Sequence, residues 1–278
     1  MFKKIHIIII GIIFISCASY FNKSDNLINY VDPFIGSGGH GHVFVGANVP
    51  FGGVQVGPTN FNKGWDWSSS YHHTDSIVKG FCHINVSGTG MSDLGELTIM
   101  PATGKLMTGA GTQNNHMAGY SSLYYKDKEH ASVGYYKVHL ERYDIDAELT
   151  ATERVGLHKY RFPKSDQSRV IIDLGEGSAD RPTETYLKKI NDTLFEGHRF
   201  SSGWARDQRE YFSLIISKPV DDFILYDRHK KFKGTERKGD YVKGFLEFST
   251  KTNEDIMVKM GISTVSSKNA LDLSLIHI

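Results

Sequence analysis

Twelve residues, "GWDWSSSYHHTD" from Gly64 to Asp75, hold two of the chain's three tryptophans, two carboxylates, a tyrosine and a histidine pair. The stretch shows neither the alternation of a half-buried strand nor the three-and-four repeat of an amphipathic helix, so no core-facing element explains its rings. Flat rings beside fixed hydrogen-bonding groups suit a pyranose, which offers an apolar C–H face and a rim of hydroxyls. The competing use of Trp65 and Trp67 is to plug an interface between domains, which an indole does equally well.

Two neighbouring stretches could add chemistry. "YVDPFIGSGGHGHVFVGANVPFGGVQVGP", Tyr30 to Pro58, sets Gly38, Gly39 and Gly41 around His40 and His42. A phosphate-cradling glycine loop would need a helix start and, in the P-loop, a Lys-Ser/Thr pair, and neither follows. His40, His42, His72, His73 and His83 invite a zinc reading, but no HExxH or CxxC accompanies them, so structural or substrate-contacting roles are favoured over a metal. In "GFCHINVSGTGMSDLGELTIMP", Gly80 to Pro101, Asp93 and Glu96 stand three apart, but in a strand-and-loop setting they need not share a face, so the spacing says little about acid and base roles. Trp204, flanked by strand-like residues in "SSGWARDQREYF", reads as a packing residue.

The elements that must position these residues change character along the chain. From Asn29 to about Pro101 glycine is dense, which opposes long helices and favours tight loops and close backbone approach. From Gly134 onward, "YYKVHLERY", "DAELTATERVGLHKYRF", "SRVIIDLG", "EYFSLIIS", "DDFILYD", "GFLEFST" and "DIMVKMGIS" are short, β-branched or aromatic, and separated by turn residues. Their succession without helical periods predicts an all-β chain, a β-sandwich of antiparallel sheets.

Lys and Arg number 32 against 31 Asp and Glu, with no long block of either sign, which gives no reason to expect nucleic acid or an acidic polymer as partner. The basic cluster His229 to Lys233 reads as a solvated hairpin tip. At the start, Lys3 and Lys4 precede the apolar run "IHIIIIGIIFIS", the order of a secretory signal. Ile15-Ser16-Cys17 resembles a lipoprotein processing site, so residues 1–16 are expected to be a signal peptide and 17–28 a tether lipidated at Cys17, holding the protein to a membrane of the bacterial cell envelope; an ordinary signal peptide is the alternative. Lipidation leaves Cys82 without an internal disulfide partner. The final "LSLIHI" resembles translated adapter sequence, which places the expected domain at 29–272 and a non-native tail at 273–278.

The long stretches quoted above, with "RPTETYLKK" and "FEGHRFSSGWARDQREYF", resemble glycoside hydrolase family 92, the exo-acting α-mannosidases, in the family's order from Tyr30 to about Leu271. The resemblance implies the N-terminal β-sandwich of a two-domain enzyme whose (α/α)6 barrel is missing here, acting on terminal α-mannosides of glycans by inversion with the aid of Ca2+. It implies that the acid, the base and most calcium ligands belong to the barrel, so no catalytic or metal residue is assigned in this chain. Its sugar-contacting residues would be Gly38, Gly39, His40, Trp65, Asp66, Trp67 and Tyr71, with a mannose-containing glycan and the chain's own C-terminal barrel as partners. Ser68 stands where the family usually has cysteine, and Tyr71-His72-His73-Thr74-Asp75 where it often has "YHYSD"; both departures fall on the loop expected to line the leaving-group side. A stand-alone carbohydrate-binding lipoprotein is the competing function.

Overall fold

The alternating runs become paired strands in the computed structural model, which describes residues 27–178 and 180–276. Along Tyr135–Leu140, Tyr136, Val138 and Leu140 face inward, and across the ladder Val138 lies opposite Ala147 and Tyr136 opposite Leu149, so apolar positions meet apolar positions. A slip of one residue would turn that whole set to water, which is why the pattern fixes the register.

Nine strands form one antiparallel sheet in the order Glu236–Gly239, Arg181–Lys189, Leu194–Ser202, Gln208–Ile216, Glu254–Ser263, Val155–Phe162, Ile145–Ala151, Tyr135–Leu140 and Glu129–Ser132. Eight form the other: Ala47–Asn48, Gln55–Thr59, Gly80–Cys82, Thr98–Thr103, Ser165–Asp173, Val242–Thr250, Asp222–Asp227 and Lys230–Phe232. Between the sheets aromatic rings meet: Phe162 on Phe248 edge to face at 5.6 Å, Phe195 on Phe223 at 5.3 Å and Phe81 on Tyr160 at 6.1 Å. The expected β-sandwich is the fold.

One polar thread crosses this core. His83 Nδ1–H donates to the Leu97 carbonyl at 2.6 Å, which leaves its Nε2 as acceptor for His158 Nε2–H at 2.9 Å, while Tyr160 donates to His158 Nδ1 at 2.8 Å. Both rings are neutral in that arrangement, and burial depresses both, His83 to about 4.

The outer face of the eight-stranded sheet is covered as well. Ser168 to Asp173 are all buried, because the segment after Thr103 folds over them: Arg169 donates to the Gly104 carbonyl at 2.7 Å, and Tyr120 donates to Asp173 at 2.6 Å. A helix, Ser267–Ile276, lies on the nine-stranded sheet over Gly261, where a Cβ would come within 2.3 Å of the Ala270 carbonyl oxygen. It runs through Asp272 without a break, so residues 273–276 are helical. Cys17, the signal segment and most of the tether lie outside the described residues, whose compact unit begins at Asp32; before it stands a 3-10 turn, Leu27–Tyr30.

Two features differ from the reading of the sequence. The glycine-rich N-terminal region supplies half of the eight-stranded sheet, in strands too short to show an alternating pattern. Arg181–Lys189 and Leu194–Ser202 are full nine-residue strands whose inward positions include Thr185, Arg199 and Ser201, so they lack the apolar signature of a core strand.

Candidate functional site

Trp65, Asp66 and Trp67 form a single 3-10 turn, closed by Trp67 N–H to the Gly64 carbonyl at 3.0 Å. Gly64 enters it at φ 118, a backbone conformation that side-chain-bearing residues rarely adopt. The turn gives the two indoles opposite fates. Trp67 donates to Asp75 at 2.9 Å, stacks on His72 with centroids 4.3 Å apart, and has the Lys63 ammonium 5.2 Å from its ring. Trp65 is 57% exposed. Its Nε1–H donates to the Gly90 carbonyl at 2.6 Å, and any side chain at position 90 would run into the indole, so the ring's N–H edge is held against that glycine.

The histidine loop closes on the same ring. His42, itself buried, meets Trp65 edge to face at 4.3 Å, and His40 lies 5.2 Å from it. His40 Nδ1 is 2.6 Å from Asp66 Oδ1; a carboxylate can only accept, so the imidazole donates, and this bond holds the Asp66 carboxyl below its ordinary range. Gly39 sits at φ 55 with open space around it, and its carbonyl accepts from His72 Nε2 at 3.3 Å. Gly38 packs beside His73. Ser68 is buried and donates to the Thr89 carbonyl at 3.2 Å, tying this turn to the 86–94 loop.

The structure therefore gathers Gly38, Gly39, His40, Trp65, Asp66 and Trp67 at one end of the sandwich. Tyr71 is not on that surface. Its ring is buried, its hydroxyl donates to Glu129 at 3.1 Å and accepts from Lys126 at 2.8 Å, and burial raises its pKa, so it is a core residue beneath the loop.

A second group at this end was not visible in the sequence. Trp204 belongs to the turn between Leu194–Ser202 and Gln208–Ile216, not to either strand, and it is 76% exposed; the packing role read from its neighbours is corrected. It lines a cavity of about 510 Å³ with Val86, Met91, Leu94, Asp93 and Gln208. Behind that cavity runs a buried chain. Gln208 Nε2 donates to Asp93 Oδ2 at 2.9 Å, Ser201 Oγ lies 3.0 Å from Gln208 Oε1 and 2.9 Å from Glu96 Oε1, and Glu96 Oε2 lies 2.7 Å from the Arg199 guanidinium. Arg199 also bonds Asp180 and donates to the Leu174 carbonyl at 3.0 Å.

One serine proton cannot serve both Glu96 and Gln208. The conflict ends if Glu96 carries a proton: Glu96 then donates to Ser201, and Ser201 to Gln208. Burial pushes the Glu96 carboxyl up to about 8 against the opposing pull of Arg199, with the Asp180 charge adding to the rise. Asp93 and Glu96, which spacing did not unite, thus belong to one network by tertiary folding. Among the described residues no group of three or more His, Cys, Asp and Glu side chains is arranged to hold a metal ion, so these side chains do not fit the implied Ca2+.

A two-sheet antiparallel sandwich with an aromatic-and-carboxylate rim at its loop end defines the kind of domain. A model of the glycosyl hydrolase family 92 N-terminal domain matches residues 30–263, and the chain belongs to that family. It is 32% identical, with a TM-score of 0.87, to the family 92 α-mannosidase BT3965 of Bacteroides thetaiotaomicron, solved also in complex with mannoimidazole, over 90% of this chain and 34% of that one. The inverting mannosidase BT2199 of the same organism shares the fold at a TM-score of 0.77 and 22% identity, over 92% of this chain and 34% of that one. A secreted glycosidase of Arthroderma benhamiae is 26% identical over 54% of this chain and 20% of its own length. The chain spans about a third of the solved relatives' length and a fifth of the curated one's.

Proposed function

We propose that this chain is the N-terminal portion of an exo-acting α-mannosidase that releases terminal α-linked mannose from glycans with inversion and the aid of Ca2+, and that its part is to form one wall of the sugar pocket. The supporting observation is the Trp65–Asp66 pair: an exposed indole, locked against Gly90 and His42, beside a carboxylate kept ionised by His40. A pyranose laid on the indole would present hydroxyls to Asp66, and a charged acceptor makes the stronger hydrogen bond.

Inversion needs an acid and a base about 6.5–9.5 Å apart across the sugar. Asp66 cannot fill both roles, and we assign them, with the calcium site, to the two-thirds of the relatives' length that this chain does not span. In the complete gene product, Trp65→Ala and Asp66→Ala should each lower kcat/KM on an aryl α-mannoside by more than tenfold, about 1.4 kcal/mol of transition-state binding. Unchanged kinetics in a folded variant would remove that residue from the sugar wall. A chelator should abolish the activity, whereas this chain assayed alone should show none.

An exposed aromatic wall without a paired acid and base also suits a stand-alone carbohydrate-binding lipoprotein. The reading frame after codon 272 separates the two: several hundred further codons support the enzyme, and an in-frame stop in independent reads supports the binding protein. In both readings Cys17 is lipidated and the protein is exported to the bacterial envelope. Cys17→Ala should then move it from the membrane to the soluble fraction, and a variant that stays with membranes would point to an uncleaved helix.

A further inference from the structure

We propose that the cavity between the 86–94 loop and the Trp204 turn is a second sugar-binding subsite, continuous with the Trp65 wall, which takes the adjoining hexose of an oligosaccharide. The proposal rests on the sugar-wall reading of Trp65 and extends it from one sugar ring to two.

The cavity is built like a carbohydrate site. Its volume of about 510 Å³ lies within the range of small-molecule pockets, about 300–1,000 Å³. Val86, Met91 and Leu94 supply apolar lining, and Trp204 supplies a ring that forms no hydrogen bond and stacks on no other ring among the described residues. A large indole left 76% exposed at the mouth of an apolar cavity is surface available to a ligand's C–H face.

The polar groups are few and fixed. Asp93 is buried, and its Oδ1 has no hydrogen-bond partner, while Oδ2 is occupied by Gln208. Gln208 spends one amide hydrogen on Asp93 and keeps the other, with its orientation set by Ser201 and, through Glu96, by Arg199. Acceptor and donor stand side by side on a hydrogen-bonded framework, and groups held in this way discriminate hydroxyl geometry rather than mere bulk.

Continuity with the first wall comes from one loop. Trp65 bonds the carbonyl of Gly90, and Met91, the next residue, lines the cavity. A sugar lying on Trp65 and a group in the cavity therefore share the 86–94 loop between them, as two linked hexoses would.

The three indole N–H groups give the test its resolution, since each tryptophan yields its own signal in a nitrogen-15 correlation spectrum. The protein is titrated with an α-linked mannobiose to several tens of millimolar, and with methyl α-mannoside as the one-ring control. Expected are shifts of both the Trp65 and Trp204 signals with mannobiose, and at least tenfold weaker mannobiose binding in Trp204→Ala and in Asp93→Asn, with the Trp67 signal of each variant in its original place as the sign of an intact fold. A mannobiose shift at Trp65 alone, or undiminished affinity in the two variants, overturns the second subsite and leaves the first wall standing. A shift at Trp204 alone keeps the cavity and overturns the wall, and no shift at either overturns both.

Discussion

Two charge clusters at the same end of the sandwich use similar partners in opposite surroundings. At the rim, His40 and Asp66 pair with side chains 74% and 29% exposed; at the hub, Arg199 meets Glu96 and Asp180 with all three fully buried. Exposed pairs add about 0–1 kcal/mol because water solvates and screens both members. Buried pairs must recover a large desolvation cost, and removing one partner strands the other. The rim can therefore exchange its hydrogen bonds for a ligand's hydroxyls at small cost, whereas the hub exists to be left alone. It joins Leu174, Asp180, Glu96 and, through Ser201 and Gln208, Asp93, fixing the loops around the opening.

The contrast breaks most visibly at Arg199. Arg199→Met keeps the bulk and deletes the charge, leaving two carboxyls facing each other without a cation, and should cost about 3–5 kcal/mol. A domain of this size then loses roughly 6–20 °C in melting temperature, at about 2–4 °C per kcal/mol. Adding Glu96→Gln and Asp180→Asn to that variant should recover a good part of the loss. A loss under about 1 kcal/mol in the single variant would mean that the hub behaves like a surface pair.

The hub's proton sharpens the same contrast. Because burial raises the Glu96 carboxyl to about 8 in the folded protein, against an ordinary value of 4.5 when unfolded, the folded protein binds more protons across that window, and this residue's contribution to stability falls as pH rises through it. His83 and His158 tilt the other way: both depressed when folded, His83 to about 4, they favour the native state above 6.5 and withdraw that support as pH falls below it. The two slopes overlap, so the informative quantity is the melting temperature of Glu96→Gln minus that of the parent. That difference should grow steadily from pH 5 to pH 9, and a flat difference would show that Glu96 is ionised throughout.

How much of this could be read beforehand divides along the same line. Tyr135–Leu140, Ile145–Ala151, Val155–Phe162 and Glu254–Ser263 were legible because their buried positions are largely apolar and alternate, whereas in Leu194–Ser202 the hub replaces oil with Arg199 and Ser201, and in Arg181–Lys189 the buried Thr185 bonds the Gly239 carbonyl. That Trp65, Asp66 and the His40 loop form one group was legible because they sit in short glycine-rich segments that carry no periodic core pattern. Tyr71, placed among the sugar contacts by the family resemblance, lies in the core instead, and nothing local shows that its hydroxyl meets Glu129, 58 residues away. Hub and cavity were hidden for a stronger version of that reason: Glu96 to Ser201 spans 105 residues and Asp93 to Gln208 spans 115, and only the paired sheets bring them together.

The two tryptophans of one 3-10 turn give the finest test. Trp67 is stacked on His72, bonded to Asp75 and flanked by Lys63, so Trp67→Ala removes packing as well as a half-buried hydrogen bond and should cost about 1–3 kcal/mol. Trp65, two residues earlier, gives up one hydrogen bond to Gly90 and a ring face that water already touches, and Asp66 gives up an exposed pair with His40. Trp65→Ala should change stability by no more than about 0.5 kcal/mol, the usual range for a surface substitution, and Asp66→Ala should leave the unfolding midpoint essentially where it is. Thermal or urea unfolding of this chain measures all three. If Trp65→Ala proves as destabilising as Trp67→Ala, its indole is a packing ring like its neighbour's, and the rim loses the freedom that a ligand-facing wall requires.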